Sequence, residues 1–212
     1  PGATGAIGVG RMVQNGADAH SIAVMTGDTL ALATNADSTF KFADVVPLGV
    51  MIRQPSGFFA RMDGPYRTWN DVIAAAKANP GKINYSSAGV GSTQHLAGAL
   101  FCAMAGIDMV HIPYRGGVGP ITDLLGGSVD VLVDTQTVTL PHIASGAIRG
   151  LGVTSPNEWP SLKGIPPVGN TVKGYDVRSW MGIAAPKGLP QPILEKLNAE
   201  IRYVSARDPV KG

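Results

Sequence analysis

Short apolar runs closed by turn residues recur along the chain. Ile22–Met25 ends at Thr26-Gly27-Asp28-Thr29, and Val45–Ile52 is interrupted by Pro47. Runs of this length between turn signals predict buried strands. Thr68-Trp-Asn-Asp71 sets a hydroxyl N-cap three residues ahead of an acid, so a helix is predicted over Val72–Ala78, stopped by Asn79-Pro80-Gly81. The pattern then repeats: strands over Ile83–Ser86, Met109–Ile112 and Val129–Val133 alternate with helices over Thr93–Ala105 and Ile121–Leu125. A further strand, Ile148–Val153, follows His142–Gly146. Strands alternating with helices across short glycine-bearing connections predict parallel βαβ units and an α/β class. The alternation breaks at the proline-dense stretch Pro156–Pro167. Ser179–Ala185 reads as one more strand. Gln191–Val204, entered through Pro190 and Pro192, reads as an amphipathic helix with Ile193, Leu194, Leu197 and Ile201 on one face.

Composition narrows the class. A chain of 212 residues buries roughly 70% of its unfolded surface when compact. At 44% apolar it is not disordered by composition, and no apolar stretch reaches the roughly 20 residues of a membrane span. Charged residues are 15%, while 28 Gly and 16 Pro assign much of the fold to loops and tight turns. A net charge of +2, from 17 basic and 15 acidic side chains without a run of like charge, disfavours nucleic acid and anionic membranes as partners. The single Cys102 has no internal disulfide partner and no Cys or His at metal-ligand spacing. Pro1-Gly-Ala-Thr-Gly5 lacks the basic start and apolar stretch of a secretion signal.

Asn84-Tyr-Ser-Ser-Ala-Gly-Val-Gly-Ser-Thr-Gln-His95 carries the most chemistry: a strand end passes through a glycine-rich turn into a helix. Gly89 and Gly91 permit close backbone approach. The first N–H groups of the helix, with the Ser92 and Thr93 hydroxyls, would face negative charge, and either a carboxylate or a phosphate satisfies them. A capped helix with turn glycines is the plainer reading. A nucleotide-dependent oxidoreductase is the sharpest rival, because Gly89-x-Gly91 follows a strand and Asp108 lies near the distance of a ribose-binding acid. Its third glycine is missing, since position 94 is Gln, and the chain has no Gly-Lys-Ser/Thr for a Walker loop. A second glycine-rich opening, Gly2, Gly5, Gly8 and Gly10 ahead of the helix-like Arg11–Asn15, has no strand before it and reads as a helix start packed through small residues.

Nucleophilic catalysis has little support. His95, His111 and His142 are scattered, no Gly-x-Ser-x-Gly elbow exists, and Ser92 with His95 is an i, i+3 pair suited to packing or capping. Asp123, Asp130 and Asp134 fall on separate elements, without the spacing of a zinc or di-metal site. Asp134 ends an apolar strand, where open α/β sheets place ligand contacts, and a turn-forming Asp is the alternative. In His111-Ile-Pro-Tyr-Arg-Gly-Gly117, Arg115 reads either as a partner for a carboxylate or as a solvated loop charge. Trp180 reads as a half-buried core aromatic.

Several linked motifs resemble one family. Asn84–Gly98, Met109–Gly117, Asp123-Leu-Leu-Gly-Gly-Ser-Val-Asp130, Leu140-Pro-His-Ile-Ala-Ser-Gly146, Gly152-Val-Thr-Ser155, Ser179-Trp-Met-Gly182 and Glu195-Lys-Leu-Asn-Ala-Glu-Ile201 resemble, in order and gaps, the Bug-type (TctC-like) solute-binding receptors of tripartite tricarboxylate transporters. The resemblance implies a periplasmic-binding-protein type II fold. Two α/β lobes would flank a ligand cleft, with residues 1–55 a partial first lobe, 56–150 the second and 151–212 the return to the first. It implies no catalysis and no cofactor. It implies a small organic carboxylate ligand, delivery to the membrane permease subunits of the transporter, and a periplasmic location. Carried over by position, Thr26 and Gly27 contact ligand from the first lobe, and Ser87, Gly91, Ser92, Thr93 and Asp134 from the second. In the family a strand, a ligand-touching loop, a helix and a second strand precede the point matching residue 1, so roughly a quarter of the mature fold is expected ahead of it. The end, at Asp208–Gly212, is also short against the family. Met25-Thr-Gly-Asp28 differs from the family's small-residue loop, and its acid would weaken carboxylate binding or select a ligand bearing a donor.

Overall fold

The computed structural model describes residues 5–18, 20–34, 37–116 and 118–207. Gly2, Gly117 and the end at Asp208–Gly212 lie outside the described residues. The chain divides into two compact units, Pro1–Arg53 with Ser179–Gly212, and Gln54–Arg178. The second boundary differs from the return at residue 151 read from the sequence. Leu162 and Ile165 of the proline-dense stretch are buried in the same core as Phe59, Leu132 and Ile148, and Val168, Val172 and Tyr175 after it in the same core as Phe58, Trp69 and Phe101, which holds this part of the chain in the second unit.

In the first unit, α1 (Ala6–Asn15) precedes β1 (Ala23–Thr26), α2 (Gly27–Leu32) and the start of β2 (Val45–Arg61). The chain returns through β7 (Arg178–Pro186) and α7 (Gln191–Ser205). β1 pairs antiparallel with β7, from Ala23 opposite Ala184 to Thr26 opposite Met181, and β7 lies beside β2. Gly182 is required there, since a Cβ would stand 2.5 Å from the Gly49 carbonyl oxygen. Val9, Met12, Met25, Phe40 and Val45 form one core. Leu194, Leu197 and Ile201 of α7 pack, partly buried, on Leu48, Ala185 and Leu189, so three of the four residues of the amphipathic face read from the sequence meet this core.

The second unit holds α3 (Trp69–Ala78), β3 (Asn84–Ser87), α4 (Thr93–Ala105), β4 (Val110–Pro113), α5 (Gly119–Gly126), β5 (Val131–Thr135), α6 (Gln136–Ala144) and β6 (Ile148–Val153). β3 runs parallel to both β4 and β5, as βαβ units require. The expectation of parallel pairing stops there: the far half of β2 runs antiparallel to β5 on one edge and to β6 on the other. Phe58 and Phe59, adjacent on β2, enter different cores. Phe58 joins Trp69, Val72, Phe101 and Tyr175, and Phe59 joins Ile121, Leu124, Leu132 and Ile148. Both faces of this strand are covered, so its burial does not alternate.

The capping box at α3 forms as expected. Thr68 Oγ1 accepts the Asp71 N–H at 3.4 Å, and the Asp71 carboxylate accepts the Thr68 N–H at 2.8 Å. A buried clip ties β2 to the end of β6: the Ser56 N–H donates to Thr154 Oγ1 at 2.9 Å, and that hydroxyl donates to the Ser56 carbonyl at 3.0 Å. Valine at position 154 keeps the shape and removes both bonds, so T154V should lose about 2 kcal/mol in urea unfolding, the cost of stranding buried polar groups. A loss below about 0.5 kcal/mol would contradict the clip.

Candidate functional site

At the carboxyl ends of parallel β3, β4 and β5 the chain makes three turns, and α/β sheets present ligand contacts at this edge. Four of the expected residues meet in the turn after β3. Ser92 is the N-cap of α4: its Oγ accepts the His95 N–H at 3.2 Å and donates to the Gly89 carbonyl at 2.7 Å. Ser87 Oγ exchanges hydrogen bonds with Gly89, accepting its N–H at 3.1 Å and reaching its carbonyl at 3.2 Å, and lies 2.7 Å from His111 Nε2. The Gly91 N–H donates to His95 Nδ1 at 3.2 Å. Thr93 opens α4 and is buried. The Ser87 and Ser92 hydroxyls are therefore engaged inside the turn.

Sequence spacing did not reveal the ring pair beneath this turn. His95 comes from α4 and His111 from β4, and their imidazoles stack with centroids 4.0 Å apart at 27°. Tyr85 of β3 also stacks on His111, with centroids 5.0 Å apart. Burial lowers the pKa of both histidines. That of His111 falls to about 4, with the neighbouring His95 a smaller cause. Both rings are thus neutral near pH 7. His111 follows His95 by sixteen positions, and the parallel pairing of Tyr85 with His111 places β4 where the two rings meet.

Asp134 ends β5 opposite Gly57 of β2, two residues beyond the Ser86–Leu132 pair that ties β5 to β3. It is buried. Burial raises its pKa, partly offset by the Thr135 N–H, which donates to its Oδ1 at 2.7 Å. The third turn holds Tyr114, whose hydroxyl donates to the Asp123 carboxylate, and the exposed Arg115. Burial raises the Tyr114 hydroxyl to about 12. Tyr114 also backs the first turn, since a Cβ on Gly89 would meet its carbonyl oxygen at 2.7 Å.

In the first unit, Thr26 caps α2. Its Oγ1 accepts the Thr29 N–H at 3.3 Å and lies 3.0 Å from Thr29 Oγ1. Gly27 faces the half-buried Trp180, whose Nε1 stands 3.1 Å from where a Cβ would be.

The dinucleotide reading fails on placement. Asp108 precedes β4, and its carbonyl accepts the Gly81 N–H at 3.2 Å ahead of β3, so it occupies the amino edge of the sheet while the glycine turn occupies the carboxyl edge. A ribose-binding acid would have to share the turn's edge. Among the described residues no group of three His, Cys, Asp or Glu side chains is placed to hold a metal, and no helix is long and apolar enough to cross a membrane.

Two α/β units, one presenting a capped glycine turn at the carboxyl edge of its sheet, have the build of a solute-binding protein. Residues 1–210 match the family described as the tripartite tricarboxylate transporter family receptor, TctC, and the chain belongs to it. A UPF0065 protein of a Pseudomonas species is 37% identical over 172 residues, 80% of this chain and 51% of that relative, so the chain spans about half of its length. Among solved structures, R. palustris Rpa4515 with adipate has a TM-score of 0.87 at 27% identity, covering 99% of this chain and 71% of that one. The periplasmic binding protein BugD has a TM-score of 0.85 at 30% identity, with coverage of 99% and 71%. The fold is that of the type II periplasmic binding proteins, and the chain is a Bug-type, TctC-like solute-binding receptor.

Proposed function

We propose that this receptor captures a small organic carboxylate in the periplasm and delivers it to the membrane permease subunits of a tripartite transporter. The observation that carries the reading is the turn from Ser87 to Thr93. The Ser87 and Ser92 hydroxyls, Gly89, Gly91 and His95 hold one another, and that network fixes the start of α4 at the sheet's carboxyl edge. A helix start attracts an anion through its N–H groups and dipole without a cationic side chain. Ser87, Gly91, Ser92, Thr93 and Asp134 in the second unit, and Thr26 and Gly27 in the first, are the proposed contacts. Adipate in Rpa4515, a relative of the same fold, supports the ligand class.

Isothermal titration tests it. Adipate, or another di- or tricarboxylate of a small panel, should bind with a Kd of about micromolar order, and NAD and NADP should give no heat. Silence across the whole carboxylate panel, or binding of the dinucleotide instead, would sink the reading.

A further inference from the structure

The turn leaves one feature unassigned, the side chain of His95. A backbone N–H has only a hydrogen to give, so the Gly91 contact at 3.2 Å requires a bare Nδ1 on His95 and puts the ring hydrogen on Nε2. Gly91 sits at φ +82, a left-handed conformation, and its amide makes this contact. The ring is held flat against His111 at 4.0 Å, and His111 is anchored by Ser87 Oγ at 2.7 Å. Ser87 in turn holds both backbone groups of Gly89. The chain of contacts Ser87, His111, His95, Gly91 thus closes a ring around the turn.

We propose that His95 is a positioning residue of the anion turn: its uncharged imidazole, accepting the Gly91 N–H at Nδ1 and stacked on His111, holds the turn in the shape that presents the start of α4 to a carboxylate. This rests on the carboxylate reading above. A protonated His95 has a hydrogen on Nδ1 and repels the Gly91 N–H, so the turn loosens when the ring titrates. The groups facing the ring are His111 of β4 and, behind it, Tyr85 of β3, whose hydroxyl donates to the His95 carbonyl at 3.4 Å. The carboxyl at the same sheet edge is Asp134 of β5, engaged with the Thr135 N–H. Burial keeps the ring neutral near pH 7, and the contact is lost as pH falls through the lowered pKa.

Two variants and one spectrum decide it. His95→Asn places an amide oxygen where Nδ1 lies and cannot titrate, so its affinity for adipate should stay within about threefold of wild type, whereas His95→Ala should lose about tenfold, the scale of one hydrogen bond. As pH falls below the ordinary histidine range and through the lowered pKa of His95, the wild type should lose affinity relative to His95→Asn, because protonation of adipate is common to both. Imidazole 15N shifts of labelled wild type should show a bare Nδ1 and a protonated Nε2 on His95. A protonated Nδ1, His95→Ala binding like wild type, or His95→Asn as weak as His95→Ala overturns the proposal. If wild type binds no member of the carboxylate panel, the carboxylate reading falls, and if it binds another member, that ligand takes the place of adipate in these measurements. The tautomer, and an amide of Gly91 protected from exchange in wild type and His95→Asn but not in His95→Ala, still judge the role of His95.

Discussion

Replacing Phe58 with alanine should remove about 3–5 kcal/mol of stability, as expected for emptying an aromatic site that cannot collapse. The side chain is 1% exposed. Its ring meets Trp69 edge-on at 4.7 Å, Phe101 at 5.6 Å and Tyr175 at 6.3 Å. Trp69 and Phe101 stack on each other at 4.0 Å, so the three partners come from α3, α4 and the stretch before β7 and are fixed by one another. None can move into the void without losing its own packing. The backbone of Phe58 lies opposite Val133 on one side and Gly152 on the other, so the void opens at the centre of the sheet. Against total stabilities of about 5–15 kcal/mol, such a loss leaves the second unit marginal. Urea unfolding followed by tryptophan fluorescence should show a lower midpoint at unchanged slope. A variant within about 1 kcal/mol of wild type would mean that the four rings do not share one core.

The same residue shows where the sequence stops being readable. The helix over Thr93–Ala105 was legible behind its glycine-rich turn, and the structure begins and ends α4 there, with Ser92 as its N-cap and Gly106 in the left-handed conformation after it. The stretch Gln54–Arg61 was not. Pro55 and Gly57 interrupt it, and burial on both faces of β2 erases the alternation that marks a half-exposed strand. α6 was hidden by Pro141 within it and by the poor helix formers Thr137 and Thr139, a case of tertiary packing overriding propensity. At the site, the glycine turn and its cap were legible as local chemistry. The engagement of the Ser87 and Ser92 hydroxyls within the turn was not, because their partners His111 and the Gly89 carbonyl are set by strand pairing and turn geometry. Asp108 satisfied the count for a ribose-binding acid and yet stands on the wrong edge, since a residue count carries no information on which end of a strand the residue occupies.

Gly89 separates the turn's shape from the stability of its surroundings. Its backbone sits at φ +136, a conformation that L side chains rarely adopt, and an added Cβ would come within 2.7 Å of the Tyr114 carbonyl oxygen. That oxygen belongs to backbone held in place, since the Tyr114 N–H donates to the Ser87 carbonyl at 3.1 Å. Alanine at position 89 must therefore displace the turn, and the carbonyl that receives the Ser92 hydroxyl at 2.7 Å moves with it. Strain of order 1–3 kcal/mol then falls on the atoms that shape the start of α4. Gly89→Ala should weaken adipate binding about a hundredfold, about 2.7 kcal/mol. The turn lies at the rim of the sheet, so the melting temperature should fall by only a few degrees. Gly146→Ala is the control: φ is +72 there, and nothing lies within 4 Å of the added carbon. It bears a similar backbone penalty of about 1 kcal/mol, in the turn between α6 and β6, and should leave adipate affinity unchanged. Equal losses of affinity in the two variants would assign the effect to general destabilisation, and wild-type affinity in Gly89→Ala would remove this turn from the binding surface.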